Sequence, residues 1–188
     1  MARGLTQAGR TDGKAATMRR LAAGSAMLAA AVLMASCESA GTIPGGGAGS
    51  DYRVARQALE TGNYNLAIRR YEALISRAAP GTARRLELEH AHSLLRADRH
   101  ADAITAASGL IGAADGSIRG SALAVRGTAR HEAARLRIDR GDRGSETRAL
   151  LTAAQEDLRG FLGQHAELDA AGTMRARSEL IAADLRTL

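Results

Sequence analysis

The stretch that decides the fold covers residues 55–75 and reads ARQALETGNYNLAIRRYEALI. A second stretch, residues 91–111, reads AHSLLRADRHADAITAASGLI and lies 36 residues further along (91 − 55). With that offset, six pairs of apolar residues are identical at helical spacing: Ala55 and Ala91, Leu59 and Leu95, Ala67 and Ala103, Ile68 and Ile104, Leu74 and Leu110, and Ile75 and Ile111. Such a period, built from two helices and a turn, predicts stacked helical repeats.

The composition agrees with a helical fold. The chain has 188 residues, 45% of them hydrophobic, which suits one domain with a core of its own. Aromatic residues make up only 2%, whereas alanine, leucine, arginine and glutamate, all strong helix formers, dominate. These proportions argue against an all-β fold, a disulfide scaffold and a multi-span membrane protein.

Breaks in the apolar periodicity divide the chain after Asp51 into helices. Gly62, the Ala79-Pro80-Gly81 run and later glycines mark the breaks. Thr82 and Ser145 are predicted to cap the helices that follow them. The predicted helices are 51–61, 65–78, 82–97, 100–111, 117–139, 145–164 and 169–186.

The first helix pair resembles the tetratricopeptide repeat (TPR). Residues 62–68, GNYNLAI, resemble the family's Gly-Asp-Tyr turn and the small residue after it. Ala55 resembles the small residue of the first helix, Tyr71 the aromatic one turn after Ala67, and Pro80 the closing proline.

Later units depart further from that pattern. In the second unit Asp98 replaces the turn glycine, His100 the tyrosine and Ala107 the aromatic. In a third unit four residues resemble Ala67, Tyr71, Leu74 and Ile75, namely Ala154, Leu158, Phe161 and Leu162. The resemblance implies an all-α, TPR-like α-solenoid over residues 51–188, with about three helix–turn–helix pairs. A C-terminal capping helix would bury a stripe of Met174, Leu180, Ile181 and Leu185.

The resemblance also implies a binding surface, because the first helix of each TPR pair lines a concave groove. The residues expected on that surface are Tyr52, Arg56, Arg85, Leu88, His92, Arg126 and Arg130. We expect a cationic groove that binds the carboxylates of an acidic or C-terminal peptide segment of a protein partner. The alternative is that these arginines are ordinary solvated surface.

The amino-terminal region resembles the signal segment of bacterial lipoproteins. Residues 18–37 read MRRLAAGSAMLAAAVLMASC: two arginines, an apolar run too short to span a membrane, and Ala35-Ser36 before Cys37. This resemblance to the lipobox implies cleavage after residue 36 and lipidation of Cys37, the only cysteine. The alternatives are an ordinary cleaved signal peptide with an incidental cysteine, and a lone buried thiol. Residues 1–17 are interpreted as a misassigned start or a long n-region.

Residues 37–50 then form a lipidated cysteine and a glycine-rich flexible linker. Removal of residues 1–36 would leave 21 basic and 19 acidic residues, a net charge of +2 instead of +6. With so few aromatics for base stacking, no nucleic-acid partner is expected.

No catalytic, cofactor or metal motif stands out. His90 and His92 lie two residues apart and share no helix face, and the single lysine, Lys14, lies in no phosphate-binding loop. We therefore expect a non-enzymatic interaction module without a cofactor, lipid-anchored in the bacterial cell envelope at the periplasmic face of the outer membrane. Family resemblance suggests assembly of pili or secretion systems. The alternative is a peptidoglycan-associated factor that regulates, or is a degenerate form of, a cell-wall enzyme.

Overall fold

The structure, a computed structural model, describes residues 47–188, and these residues contain helices and no strand. The α-helices are α1 (Ala48–Glu60), α2 (Tyr64–Ile75), α3 (Pro80–Arg96), α4 (His100–Ala113), α5 (Gly116–Asp139), α6 (Ser145–Gln164) and α7 (Thr173–Thr187). A short 3₁₀ helix, Ala166–Leu168, precedes α7. The all-α prediction is confirmed for this part of the chain. The signal segment, Cys37 and most of the linker lie outside the described residues.

The helices pack in chain order, each against the next, and α3 also packs against α5. Four clusters of buried side chains follow one another along this stack, from Tyr71 and Leu86 at one end to Leu151 and Ile181 at the other. None of the helices within residues 47–188 is long and apolar enough to cross a membrane.

The second helix of each pair buries the same set of positions. Ala67, Ala103 and Ala154 are all 0% exposed. The positions four residues later, Tyr71, Ala107 and Leu158, are also 0% exposed. A small side chain beside a variable one lets each helix approach its neighbours closely while the variable residue fills the remaining space. The sequence correspondence among α2, α4 and α6 is therefore also a correspondence in burial.

The turns inside the three pairs share a backbone conformation. Gly62, Asp98 and Gly141 have positive φ angles of 82°, 58° and 83°. Glycine adopts this left-handed conformation without steric cost, and aspartate is among the few other residues that tolerate it. Asp98 thus takes over the role of the turn glycine, as the sequence comparison predicts.

Several predicted helix boundaries shift by a few residues. Helix α1 begins at Ala48, within the predicted linker, and Ser50 Oγ donates to the carbonyl of Gly47 at 2.8 Å. Thr82 is not an N-cap, because Pro80 already starts α3; proline's fixed φ and missing N–H suit the first helical position. Ser145 is the first residue of α6 and not its cap, which is Gly144.

The last helix differs from prediction at both its start and its buried stripe. Asp169 does not begin α7; its carboxylate accepts hydrogen bonds from the backbone N–H groups of Met174 and Arg175, both at 3.0 Å. Ile181 is fully buried as expected, but Leu180 is 60% exposed. Leu180 lies on the outer side of the helix, one residue before the position that faces the core.

The crossing between α5 and α6 depends on a glycine. A Cβ atom at Gly127 would lie 2.9 Å from Leu158 Cδ2 and 3.1 Å from the Cβ of Asp157. Both distances are below normal contact distance, so even alanine requires the helices to move apart. Gly127 therefore allows a close approach of α5 to Asp157 and Leu158 of α6.

We predict that Ala67→Leu or Ala103→Leu lowers the free energy of unfolding by about 1–3 kcal/mol, because the larger side chain overpacks a crossing without free space. Ala73→Leu is the matched control, since Ala73 lies on the exposed side of α2. Thermal and chemical unfolding followed by circular dichroism measure the effect. Equal stability of Ala67→Leu and Ala73→Leu would contradict the close-packed crossing.

Candidate binding groove

A concave groove of about 830 Å³ lies between α3, α5 and α7. Its apolar lining consists mainly of Leu88, Leu95, Val125, Phe161, Leu168 and Met174. Around this surface are three arginines, Arg56, Arg96 and Arg177, and four carboxylates, Glu89, Asp98, Glu132 and Asp169. We call the six apolar residues the floor of the groove and the seven charged residues, which carry both signs of charge, its rim.

Three of the predicted surface residues line the groove: Arg56, Leu88 and His92. The pKa of His92 is lowered, first by partial desolvation of its ring and then by the charge of Arg96, although the residue remains exposed at the groove surface. The other four predicted residues lie outside the lining. Tyr52 and Arg85 are directed at Glu89, and Arg126 and Arg130 at Asp157.

Glu89 is the centre of a polar cluster that joins α1, α2 and α3. Its carboxylate accepts hydrogen bonds from the hydroxyls of Tyr52 and Tyr71, at 3.0 and 2.9 Å, and from Arg56 Nη1 at 2.9 Å. Arg85 Nε lies 4.0 Å from the same carboxylate. Glu89 is only 8% exposed, so these donors replace the water that a buried carboxylate loses.

The cluster shifts the titration of its members. Burial raises the pKa of Tyr71 well above its usual range, and the charge of Glu89 raises it further. The pKa of Tyr52 is shifted in the same direction for the same reasons. The pKa of Arg56 is also raised, first through its hydrogen bond with Glu60 and then through Glu89. Both tyrosines thus remain protonated donors, and Arg56 remains a cation bound to the protein's own carboxylates.

Asp157 holds two predicted groove arginines on a different side of α5. Arg126 donates to both carboxylate oxygens, with Nε to Oδ2 at 3.0 Å and Nη2 to Oδ1 at 2.6 Å. Arg130 Nη1 donates to Oδ2 at 2.6 Å. Asp157 is 3% exposed, so α5 and α6 are joined by a buried carboxylate between two guanidinium groups.

The lining that the structure describes carries charges of both signs, whereas a cationic groove is expected from the sequence. Arg126 and Arg130 are bound to Asp157, and four carboxylates outnumber three arginines along the groove. Glu89 and Asp157 are the residues that sequence reasoning missed. A glutamate four residues after Arg85 reads as an exposed helix-surface pair, and only the packing of three helices shows that it is buried.

A polar contact joins helix α7 to α5 beside the groove. His131 Nε2 lies 3.0 Å from Asp184 Oδ2, and its Nδ1 lies 3.4 Å from Arg177 Nη1. Because a guanidinium can only donate, Nδ1 accepts and Nε2 carries the hydrogen that Asp184 receives. Burial lowers the pKa of His131 and the charge of Arg177 lowers it further, against an opposing effect of Asp184. The ring is therefore neutral at pH 7.

We predict that Glu89→Gln lowers the free energy of unfolding by about 1–3 kcal/mol, because buried donors then lose a charged acceptor. Glu60→Gln is the matched control: Glu60 also pairs with Arg56, at 2.6 Å, but its side chain is 58% exposed. Loss of an exposed pair costs about 1 kcal/mol or less. Chemical unfolding of both variants measures the difference, and equal losses would contradict a structural role for the Glu89 cluster.

We predict that His131 makes stability fall as the pH is lowered. Its folded pKa lies below the unfolded value, so the unfolded chain binds the proton first and the folded state loses stability below about pH 6.5. Between about pH 7.5 and 5.5 the free energy of unfolding should fall more steeply for the wild type than for His131→Gln. Parallel curves for the two proteins would contradict a neutral, buried His131.

Neither a metal site within residues 47–188 nor a similar protein gives further information about this groove. Within residues 47–188, no group of three or more His, Cys, Asp or Glu side chains is placed to hold a metal ion. Comparison of the chain with family models, curated proteins and solved structures finds no match.

Proposed function

We propose that the chain is a protein-interaction module, anchored by lipid in the bacterial envelope, that receives a segment of a partner protein in the groove between α3, α5 and α7. The observation that carries this proposal is the groove itself, which combines an apolar floor with a charged rim and has a volume of about 830 Å³. A surface of this kind suits an amphipathic partner segment, whose apolar side chains enter the floor while its polar side chains meet the rim.

The chemistry of the rim favours a partner that is not acidic. Arg56 is engaged by Glu60 and Glu89, and Arg177 Nη1 lies 3.2 Å from Glu132. Asp98 forms neither a side-chain hydrogen bond nor an ion pair with any residue of 47–188. Once these two ion pairs are set aside, the charged lining residues that remain are Asp98 and Asp169 against Arg96, so the groove does not favour an acidic segment. We propose a neutral or basic amphipathic segment in place of the acidic one expected from the sequence.

The repeat architecture supports an interaction role. The same positions are buried in α2, α4 and α6, and the same left-handed turn links the helices of each pair. We propose on this basis that the stack is TPR-like. The helices α3 and α5, each the first of its pair, then provide the groove, in the manner that the resemblance implies.

The anchor is proposed from the sequence. Residues 18–37 combine a basic start, an apolar run and small residues before Cys37. Lipidation at sulfur and at the new amino terminus would supply several acyl chains, enough for stable attachment. We propose the periplasmic face of the outer membrane as the location and the assembly of pili or secretion systems as the setting.

We predict that Cys37→Ser abolishes lipid attachment, because the thiol that accepts the acyl chains is absent. Growth of cells with a fatty-acid analogue, followed by detection of labelled protein, measures this directly. The wild type should be labelled, and the variant should remain an unlabelled precursor or become soluble. Equal labelling of both proteins would contradict the lipoprotein proposal.

We predict that Leu168→Glu releases the partner from the groove. Leu168 lines the groove yet is 42% exposed, so a charged residue there spoils the apolar floor with little effect on folding. Leu136→Glu is the matched control, since Leu136 is 43% exposed and does not line the groove. The measurement is a pull-down from detergent-solubilised envelope with either variant as bait.

Proteins that bind the wild type and Leu136→Glu, but not Leu168→Glu, are the expected partners. Pilus or secretion components among them would support the proposed setting, and cell-wall enzymes would favour the peptidoglycan-associated alternative. Identical sets of partners for the two variants would contradict the groove as the binding site. Matching thermal unfolding curves serve as the control for folding.

A further inference from the structure

The first helix pair has an open face on the side of the stack where the chain enters. A shallow groove of about 390 Å³ on this face is lined only by residues of α1, α2 and the turn between them. Val54, on this surface, is 43% exposed, and Leu66 lies opposite it on α2. Gln57 and Arg53 complete the central part of the lining.

The charges of this pair leave a basic surplus. Two of its three acidic residues are bound by arginine: Asp51 pairs with Arg77, and Glu60 Oε1 lies 2.6 Å from Arg56 Nε. The third, Glu72, has an exposed side chain and lies 3.3 Å from His90 Nε2, a ring that carries a charge only when it is protonated. The remaining arginines of the pair are Arg53, Arg69 and Arg70. These three are exposed and form no ion pair or side-chain hydrogen bond with any residue of 47–188.

The three arginines belong to one surface. Arg53 lines the shallow groove directly. Arg69 and Arg70 do not line the groove themselves, but they follow Leu66, a lining residue, by three and four positions and so flank it on the surface of α2. We call this surface, made by Arg53, Val54, Leu66, Arg69 and Arg70, the basic edge.

The chain length between Cys37 and the basic edge limits how far the edge can lie from a membrane. Gly47 lies ten positions after Cys37 (47 − 37), a reach of at most about 35 Å in a fully extended chain. Helix α7 packs at the far end of the stack, beyond two further helix pairs. The first pair is the layer to which the linker connects in sequence, and the other layers follow it about 8–10 Å apart.

We propose that the basic edge docks on the anionic phospholipid headgroups of the membrane that holds the lipid anchor; this inference rests on the proposed lipidation of Cys37. The three free arginines supply the attraction for lipid phosphates, and the exposed Val54 supplies apolar contact at the interface. Among the residues of α1, Arg56 alone lines the groove between α3, α5 and α7. Docking through the basic edge therefore leaves that groove open to a partner protein.

The test uses the full mature lipoprotein reconstituted into vesicles. Acylation occupies the only native thiol, so an introduced cysteine can carry a single fluorescent donor. Gln57→Cys places the donor at the basic edge, and Ala176→Cys places it on an exposed position of α7 as the matched control. Energy transfer to headgroup-labelled lipid is measured in phosphatidylcholine vesicles with and without added phosphatidylglycerol.

We expect transfer from position 57 to rise when phosphatidylglycerol is added, and transfer from position 176 to stay unchanged. The combined change Arg53→Glu and Arg70→Glu should abolish the rise, because it replaces attraction by repulsion. In the wild-type background, added salt should also abolish the rise, since it screens exposed charges. This second measurement needs no charge-changing variant and so does not depend on how that variant folds.

The outcomes separate the basic edge from the anchor. If the mature protein carries no acyl chain and does not float with vesicles, the proposed anchor fails and the inference falls with it. If the protein floats but positions 57 and 176 give the same transfer with both lipids, the anchor stands and the docking inference is overturned. A rise at position 57 that resists both salt and the glutamate substitutions also overturns it, because the tether alone would then explain the proximity.

Discussion

The close crossing of helices is the constraint on which this structure depends. At the crossings of the second helices, Ala67, Ala103 and Ala154 are fully buried. Gly127 lets α5 approach the side chain of Leu158. A helix pair that packs this closely still has an uncovered apolar side, which the next pair must cover. Repetition of that requirement produces the stack, and the concave surface between α3, α5 and α7 is its consequence.

Two buried carboxylates then fix how neighbouring helices are rotated relative to each other. Glu89 accepts hydrogen bonds from α1 and α2, and Asp157 accepts them from two arginines of α5. A buried carboxylate is stable only when donors surround it, so each helps to select one arrangement of its helices. These contacts also bind most of the arginines that the sequence analysis assigned to the binding surface. The groove therefore carries charges of both signs.

The sequence predicts the second helices of the pairs well and the binding surface less well. Alanine, leucine and isoleucine at repeated spacing determine which side of α2 and α4 is buried, whatever the neighbouring helix is. Arg126 and Arg130 could not be placed in this way, because α5 is longer than α1 and α3 and its turn to α6 has five residues (140–144). The rotation of α5 against α6 decides which side of α5 faces the groove. That rotation depends on the close approach at Gly127 and on the arginine contacts of Asp157.

Photo-cross-linking from within the groove tests the central claim most directly. A photoreactive residue at His92, which lines the groove, is compared with one at Arg84, which is exposed on the same helix α3 but does not line it. With the protein in its own envelope, the groove account predicts a discrete cross-linked partner from position 92 and none from position 84. Adducts of equal yield from both positions, or a partner captured from position 84 alone, would contradict it.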